Sequence, residues 1–318
     1  MTSAVVFAYH NVGARCLRVL LAHGVDVPLV ITHEDDLAET IWFERVADVA
    51  ASYGIPVMTP TDINAHEVVE RLRELAPDFL FSFYCRRMLH SALLAVPRRG
   101  ALNMHGSLLP KYRGRAPVNW AVLRGEHETG ATLHYMLEKP DCGDIVAQTA
   151  VPILPDDNAR EVFDKVTVAA ETTLDRALPA LLAGRAPRVT MDVAAGSYFG
   201  GRKPEDGRID WSQSALEIHN LVRAVAPPYP GAHTHIGGHA ARILRTRVLE
   251  PSGAATSPAL RISGGRMIAD CGGGGRLLVL ELEVEGRPAD ATTLAARERG
   301  AAMADPVESA VMPLGSRS

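Results

Sequence analysis

Asn103-Met104-His105-Gly106-Ser107-Leu108-Leu109-Pro110 decides the reading of this chain, together with Pro140-Asp141-Cys142-Gly143-Asp144 further along. Over Ala101 to His105, the apolar Leu102 and Met104 alternate with Asn103 and His105. That period of two predicts a strand with both polar side chains on one face. The face ends where the Gly-Ser-Leu-Leu-Pro run turns the chain. Asn103 brings a neutral amide donor, and His105 the side chain whose charge changes nearest neutrality. The pair suits a reaction that builds a tetrahedral oxyanion and moves protons around it. Taken alone, Asn-x-His at a strand end is more often an ordinary hydrogen-bonded edge.

Outward from that strand, the chain towards the N-terminus alternates short apolar runs with helical periodicity. Ala4 to Tyr9, Val27 to Thr32, Ile55 to Met58 and Asp78 to Phe83 read as strands. Gly13 to His23, Thr40 to Tyr53 and Asn64 to Leu75 read as helices, with Asn64 an N-cap candidate. This rhythm predicts a Rossmann-like α/β fold with a mostly parallel sheet. Its ligands are expected beyond the carboxyl ends of the strands, where Asn103 and His105 sit. Tyr9-His10-Asn11-Val12-Gly13 stands where a dinucleotide fold carries Gly-x-Gly-x-x-Gly, so that reading loses its fingerprint.

Towards the C-terminus, strands are predicted at Ala131 to Leu137 and Ile145 to Ala150, around the Pro140 to Gly143 turn. Ala159 to Leu182 is a long helix with Asp157 or Asn158 at its cap, and Gly196 to Arg208 reads as a linker. A helix over Ala215 to Ala224 ends at Pro227-Pro228. Strands follow at His233 to Ile236, Ala240 to Val248, Arg266 to Asp270 and Leu277 to Glu285. The Gly272 to Gly275 run is a hairpin loop between the last two rather than a phosphate cradle. The tail from Pro306 is expected to fray.

At 318 residues, two domains are expected; 47% hydrophobic and 22% charged residues suffice for a sizeable core. A net charge of −4 gives no electrostatic case for nucleic acid. Cys16, Cys85, Cys142 and Cys271 are scattered without a Cys-x-x-Cys pair, which favours free thiols over disulfides or a metal site. The N-terminus lacks a leader pattern and no segment reaches the about 18 apolar residues of a membrane helix. A cytoplasmic protein away from membranes is the expectation.

The whole run from His105 to Pro117, followed by Asp141-Cys142-Gly143, resembles the formyltransferase family that uses 10-formyltetrahydrofolate. The resemblance implies a catalytic domain over residues 1–203 and a smaller open β-barrel (OB-like) domain over 204–318. It implies Asn103 as oxyanion donor, His105 as proton carrier and Asp141 as the partner of His105. Asp144 is the rival carboxylate, expected to cap the turn or meet solvent. The co-substrate, 10-formyltetrahydrofolate, would lie against Arg87, Met88, Leu89, Arg115, and Leu137, Glu138, Lys139, Pro140 and Asp141, with no metal. Tyr9, Ser107, Arg113 and Gly114 would face the acceptor. His134, on a strand, is read as structural, and Cys142 has no base assigned to make it a nucleophile.

Within the family the chain looks most like the branch that formylates UDP-4-amino-4-deoxy-L-arabinose in lipid A modification. Val5 to His10, Phe81 to Tyr84, Asn119-Trp120 and Arg223-Ala224-Val225 carry that likeness beyond the signature. In that branch a UDP-glucuronate dehydrogenase domain follows on the same polypeptide. This sequence stops at Ser318, so that activity is expected from a separate protein. The alternatives are another nucleotide-linked amino sugar, or methionyl-tRNA. The tRNA branch grips its substrate with basic loops, whereas His33-Glu34-Asp35-Asp36-Leu37-Ala38-Glu39 is acidic and would repel phosphates. A folate sensor without catalysis, or a hydrolase releasing formate, is a further reading of the same residues.

Overall fold

The computed structural model describes residues 1–35, 41–251, 257–299 and 309–315, with only the backbone at 297–299 and 309–310. Contacts divide the chain into two units: 1–118, 128–152 and 163–201 form one, and 119–127, 153–162 and 202–318 the other.

The first unit begins with β1 (Ser3–Ala8), α1 (His10–Ala22), β2 (Asp26–Ile31), α2 (Val46–Ser52), β3 (Val57–Met58), α3 (His66–Leu75) and β4 (Phe79–Phe83). It continues through α4 (Ser91–Leu94), β5 (Ala101–His105), β6 (Arg113–Gly114), α5 (Pro117–Leu123), β7 (Glu128–Tyr135), β8 (Ile145–Pro152), α6 (Ala159–Leu182) and β9 (Tyr198–Phe199). Residues 119–123 of α5 and 159–162 of α6 fall in the other unit. The main sheet runs β3-β2-β1-β4-β5-β7-β8. From β3 to β5 every pairing is parallel, and β7 and β8 are antiparallel. The apolar runs of β1 and β4 are buried along their length, as parallel strands covered on both faces require. Strand order reverses between β1 and β4, next to β5, and it is at the carboxyl ends around such a reversal that open α/β sheets bind their ligands.

The second unit contains α7 (Ala215–Val225), β10 (Ala232–Ile236), β11 (His239–Leu249), β12 (Ala259–Ser263), β13 (Arg266–Asp270), β14 (Arg276–Val284), β15 (Arg287–Ala289), α8 (Ala291–Arg299) and β16 (Ser309–Pro313). Its antiparallel sheet runs β10-β11-β14-β13-β12-β16, with β15 added to β14. The sheet curls until Ile236, ending β10, bridges Leu314, just after β16. Trp211, Ile218, Val222, Ile243, Leu260, Leu277 and Met312 fill its core.

Several expectations are corrected. Asn64 does not cap α3, whose N-cap is Ala65; its side chain donates to the Met88 carbonyl (3.0 Å) and accepts from the His90 N–H (2.8 Å). α2 starts only at Val46, because Arg45 keeps extended backbone. The Gly196 to Arg208 segment is more than a linker, since β9 pairs with β6. The tail is strand over Ser309–Pro313, paired with β12. The cap of α6 follows expectation: Asn158 Oδ1 accepts from the Glu161 N–H (2.9 Å), and the Glu161 carboxylate accepts from the Asn158 N–H (2.8 Å).

Candidate active site

β5 is the last parallel strand, and its partner β7 sets Asn103 opposite His134 and His105 opposite Thr132. Cross-strand partners share a face, so the alternation that puts Asn103 and His105 together also gives each a polar neighbour. Thr132 anchors the turn after β5. Its hydroxyl donates to the Ser107 carbonyl (2.6 Å) and accepts from the Leu109 N–H (3.1 Å) and from Gln148 Nε2 (2.9 Å). Ser107 Oγ donates to the Lys111 carbonyl (2.7 Å), so it closes its own loop.

Asp141 reaches the same face from the turn between β7 and β8, in a left-handed conformation (φ 51°). Its Oδ1 lies 3.6 Å from His105 Nδ1 and 3.5 Å from His134 Nε2, and its Oδ2 accepts from the Gly114 N–H (2.9 Å). Burial on its own raises the carboxyl. The charge of His105, the His134 ring 3.5 Å away and the hydrogen bond from the Gly114 N–H outweigh it and hold Asp141 well below the usual carboxylate range. His105 is 6% exposed, and its Nε2 donates to the Tyr112 carbonyl (2.8 Å). A carbonyl only accepts, so Nε2 carries a proton and Nδ1 is the nitrogen turned towards Asp141. Asp144 has no place in this group; it is half-exposed, with Oδ2 3.7 Å from Arg188 Nε.

The loop after β5 is pinned by β9. The Arg113 N–H donates to the Ser197 carbonyl (2.9 Å), the Arg115 N–H donates to the Phe199 carbonyl (2.9 Å), and Tyr112 stacks on Phe199 at 5.3 Å. The Arg113 guanidinium is turned inward, donating to Cys142 Sγ and to the Val193 carbonyl (both 3.3 Å). It therefore braces the Asp141 turn from behind, while Arg115 is exposed.

On the opposite flank, Arg87 and Met88 are exposed in the segment after β4, and Leu89 is buried in the apolar cluster against which Met136 packs. Leu137, Glu138 and Lys139 are exposed and Pro140 is half-buried. Met88 (52%) and Leu137 (55%) thus present apolar side chains to solvent. Tyr9 is buried; its hydroxyl donates to Asp35 Oδ1 (3.0 Å), and the Arg86 guanidinium covers its ring at 4.5 Å. His33 accepts from the Arg86 N–H (3.1 Å); burial, then Arg86 and Arg87, push its imidazole pKa down. Of the acidic loop, Asp36 to Glu39 lie outside the described residues.

Two features go beyond what the sequence marked. His134, read as structural, lies beside Asn103, because the β5–β7 register sets it there. An aromatic group of His10, Trp42, Phe43, Tyr84 and Phe163 gathers near the ends of β1 and β4. Trp42-Phe43 after a strand was the available signal, but their partners are far apart in sequence. Among the described residues no group of three or more His, Cys, Asp or Glu is placed to hold a metal ion, and no helix is long and apolar enough to cross a membrane.

Against family models, residues 10–178 match formyl transferase and residues 202–299 match formyl transferase, C-terminal domain. Among solved structures, the N-formyltransferase from Helicobacter canadensis in complex with folinic acid and dTDP-3-aminofucose is 21% identical, with a TM-score of 0.71 over 88% of this chain and 99% of that one. WlaRD, a sugar 3N-formyl transferase solved with dTDP and 5-N-formyl-THF, is 18% identical, with a TM-score of 0.70 over 90% of this chain and 99% of that one. HypX from Aquifex aeolicus in complex with tetrahydrofolic acid is 15% identical, with a TM-score of 0.60 over 95% of this chain and 48% of that one.

Proposed function

The chain belongs to the formyl transferase family, and from that membership we propose that it moves a formyl group from 10-formyltetrahydrofolate to the amine of a nucleotide-linked amino sugar. UDP-4-amino-4-deoxy-L-arabinose, formylated on its 4-amino group, is the acceptor we put first. The observation that carries the reading is the convergence of Asn103, His105 and Asp141 at the end of β5.

The acceptor amine attacks the formyl carbon and the carbonyl oxygen becomes an oxyanion. Asn103 Nδ2 donates to it, a contribution worth about 3–4 kcal/mol. The amine then loses a proton, and the folate nitrogen gains one as its bond to the formyl carbon breaks. His105, held between the Tyr112 carbonyl and Asp141, carries that proton, and Asp141 stabilises the charged ring. Exposed Met88 and Leu137 suit the two sides of a flat pterin, with Arg87, Leu89, Glu138, Lys139, Pro140 and Arg115 around them. Tyr9, Ser107, Arg113 and Gly114 shape the acceptor side, Arg113 by bracing the Asp141 turn. Residues 1–203 carry this site, and 204–318 the second domain. The buried free thiols Cys16 and Cys271 suit a reducing cytoplasm.

The sugar acceptor is supported by the nucleotide sugar in the Helicobacter canadensis complex and by the acidic sequence after β2, which opposes an RNA backbone. The test offers 10-formyltetrahydrofolate with UDP-4-amino-4-deoxy-L-arabinose, dTDP-linked amino sugars or methionyl-tRNA, and follows products by mass. Formylated sugar nucleotide is expected, falling about 100- to 1000-fold in kcat in Asn103→Ala. Formyl-methionyl-tRNA alone, or formate release without any acceptor, overturns the reading.

A further inference from the structure

Asn103 has to present a donor, not its carbonyl oxygen, to the oxyanion, and something must tell the two ends of its carboxamide apart. The geometry points to His134 as that positioning residue; this rests on the formyl-transfer reading of the site. His134 is 1% exposed, and its Nδ1 donates to the Tyr135 carbonyl (2.8 Å). Because that carbonyl only accepts, the neutral ring carries its proton on Nδ1 and offers a lone pair at Nε2. Asn103 Nδ2 lies 3.2 Å from Nε2 and donates to it. One amide hydrogen is thereby fixed, and the second is left to the reacting oxygen. With the carboxamide reversed, its oxygen would face the Nε2 lone pair, so the reversed rotamer is disfavoured.

Two further observations show that this contact is built in. Asn103 and His134 are directly opposed in the β5–β7 ladder, so their separation is set by the sheet. The β7–β8 register also shifts between Leu133 and His134, where the chain leaves for the Asp141 turn. Asp141 Oδ1 lies 3.5 Å from the same Nε2, so one ring touches two members of the proposed catalytic group. His134 reaches the reaction through Asn103, as a positioning residue.

The test is a double-mutant cycle with a spectroscopic arm. His134→Leu keeps the volume and removes the acceptor; kcat is expected to fall about 10- to 100-fold with KM for both substrates nearly unchanged. His134→Gln, whose Oε1 can take the Asn103 N–H, is expected to restore most of kcat. In Asn103→Ala, adding His134→Leu should cost little more, since the effect passes through Asn103. Additive losses, or a change confined to KM, overturn the proposal. Should His134→Leu fail to fold, the wild-type protein decides by NMR. There, Asn103 side-chain amide protons that are inequivalent, with coupling across the hydrogen bond to His134 Nε2, are expected; a freely rotating carboxamide refutes the role. The NMR arm needs no turnover, so an inactive wild-type protein would count against the proposed function while this contact is still judged.

Discussion

Burial on its own would favour the neutral Asp141 carboxyl, yet the His105 and His134 rings and the Gly114 N–H reverse that preference. A carboxylate whose folded pKa is depressed contributes stability above its ordinary value, about 3.9, and loses it as pH falls towards the folded value. Asp141→Asn is therefore expected to lower Tm at neutral pH, by on the order of 2 kcal/mol of stability. The gap to wild type should close in acid, below the ordinary carboxylate range. Thermal melts of both proteins across that range check this, and a gap that persists unchanged would refute it. The candidate trio was legible in sequence because each residue sits in a short signature. His134 was not, because nothing local distinguishes a strand histidine that fills space from one that orients a neighbour.

The turn that presents Asp141 works because Gly143 has no side chain. A Cβ there would lie 2.0 Å from the Tyr135 carbonyl oxygen, a backbone atom of β7 that cannot swing away. Gly143→Ala must shift the turn, and with it both Asp141 oxygens. kcat is expected to drop about 10-fold or more. Gly200→Ala, where a Cβ meets nothing within 4 Å, is the matched control. Equal activity in the two variants would show that the turn has slack. Strands and long helices were legible at this scale because burial imposes a period. Short elements were less so: α2 is half the predicted helix, and β6 and β9 are two-residue strands that exist only as each other's partner. Asn64 has the right residue type for a cap, but its amide is taken by the segment after β4.

Across the whole molecule, each unit has its own core, and the sheet of the second is completed by its last strand. Met312 is buried there, and Leu314 bridges Ile236 across the curl. Truncation after residue 308 should expose the β12 edge and open that closure. Binding of a hydrophobic dye and a lower Tm are expected, while an unchanged melt would show that β16 contributes nothing. The sequence by itself determined the α/β alternation, the family signature, and the strand face carrying Asn103 and His105, because these are written in local periodicity and contiguous motifs. Only the tertiary structure decided that His134 stands beside Asn103, that Arg113 turns inward behind the Asp141 turn, and that the C-terminal tail becomes a strand. Each of those depends on the register or pairing of segments distant in the chain, and such pairings are fixed by packing that no local pattern encodes.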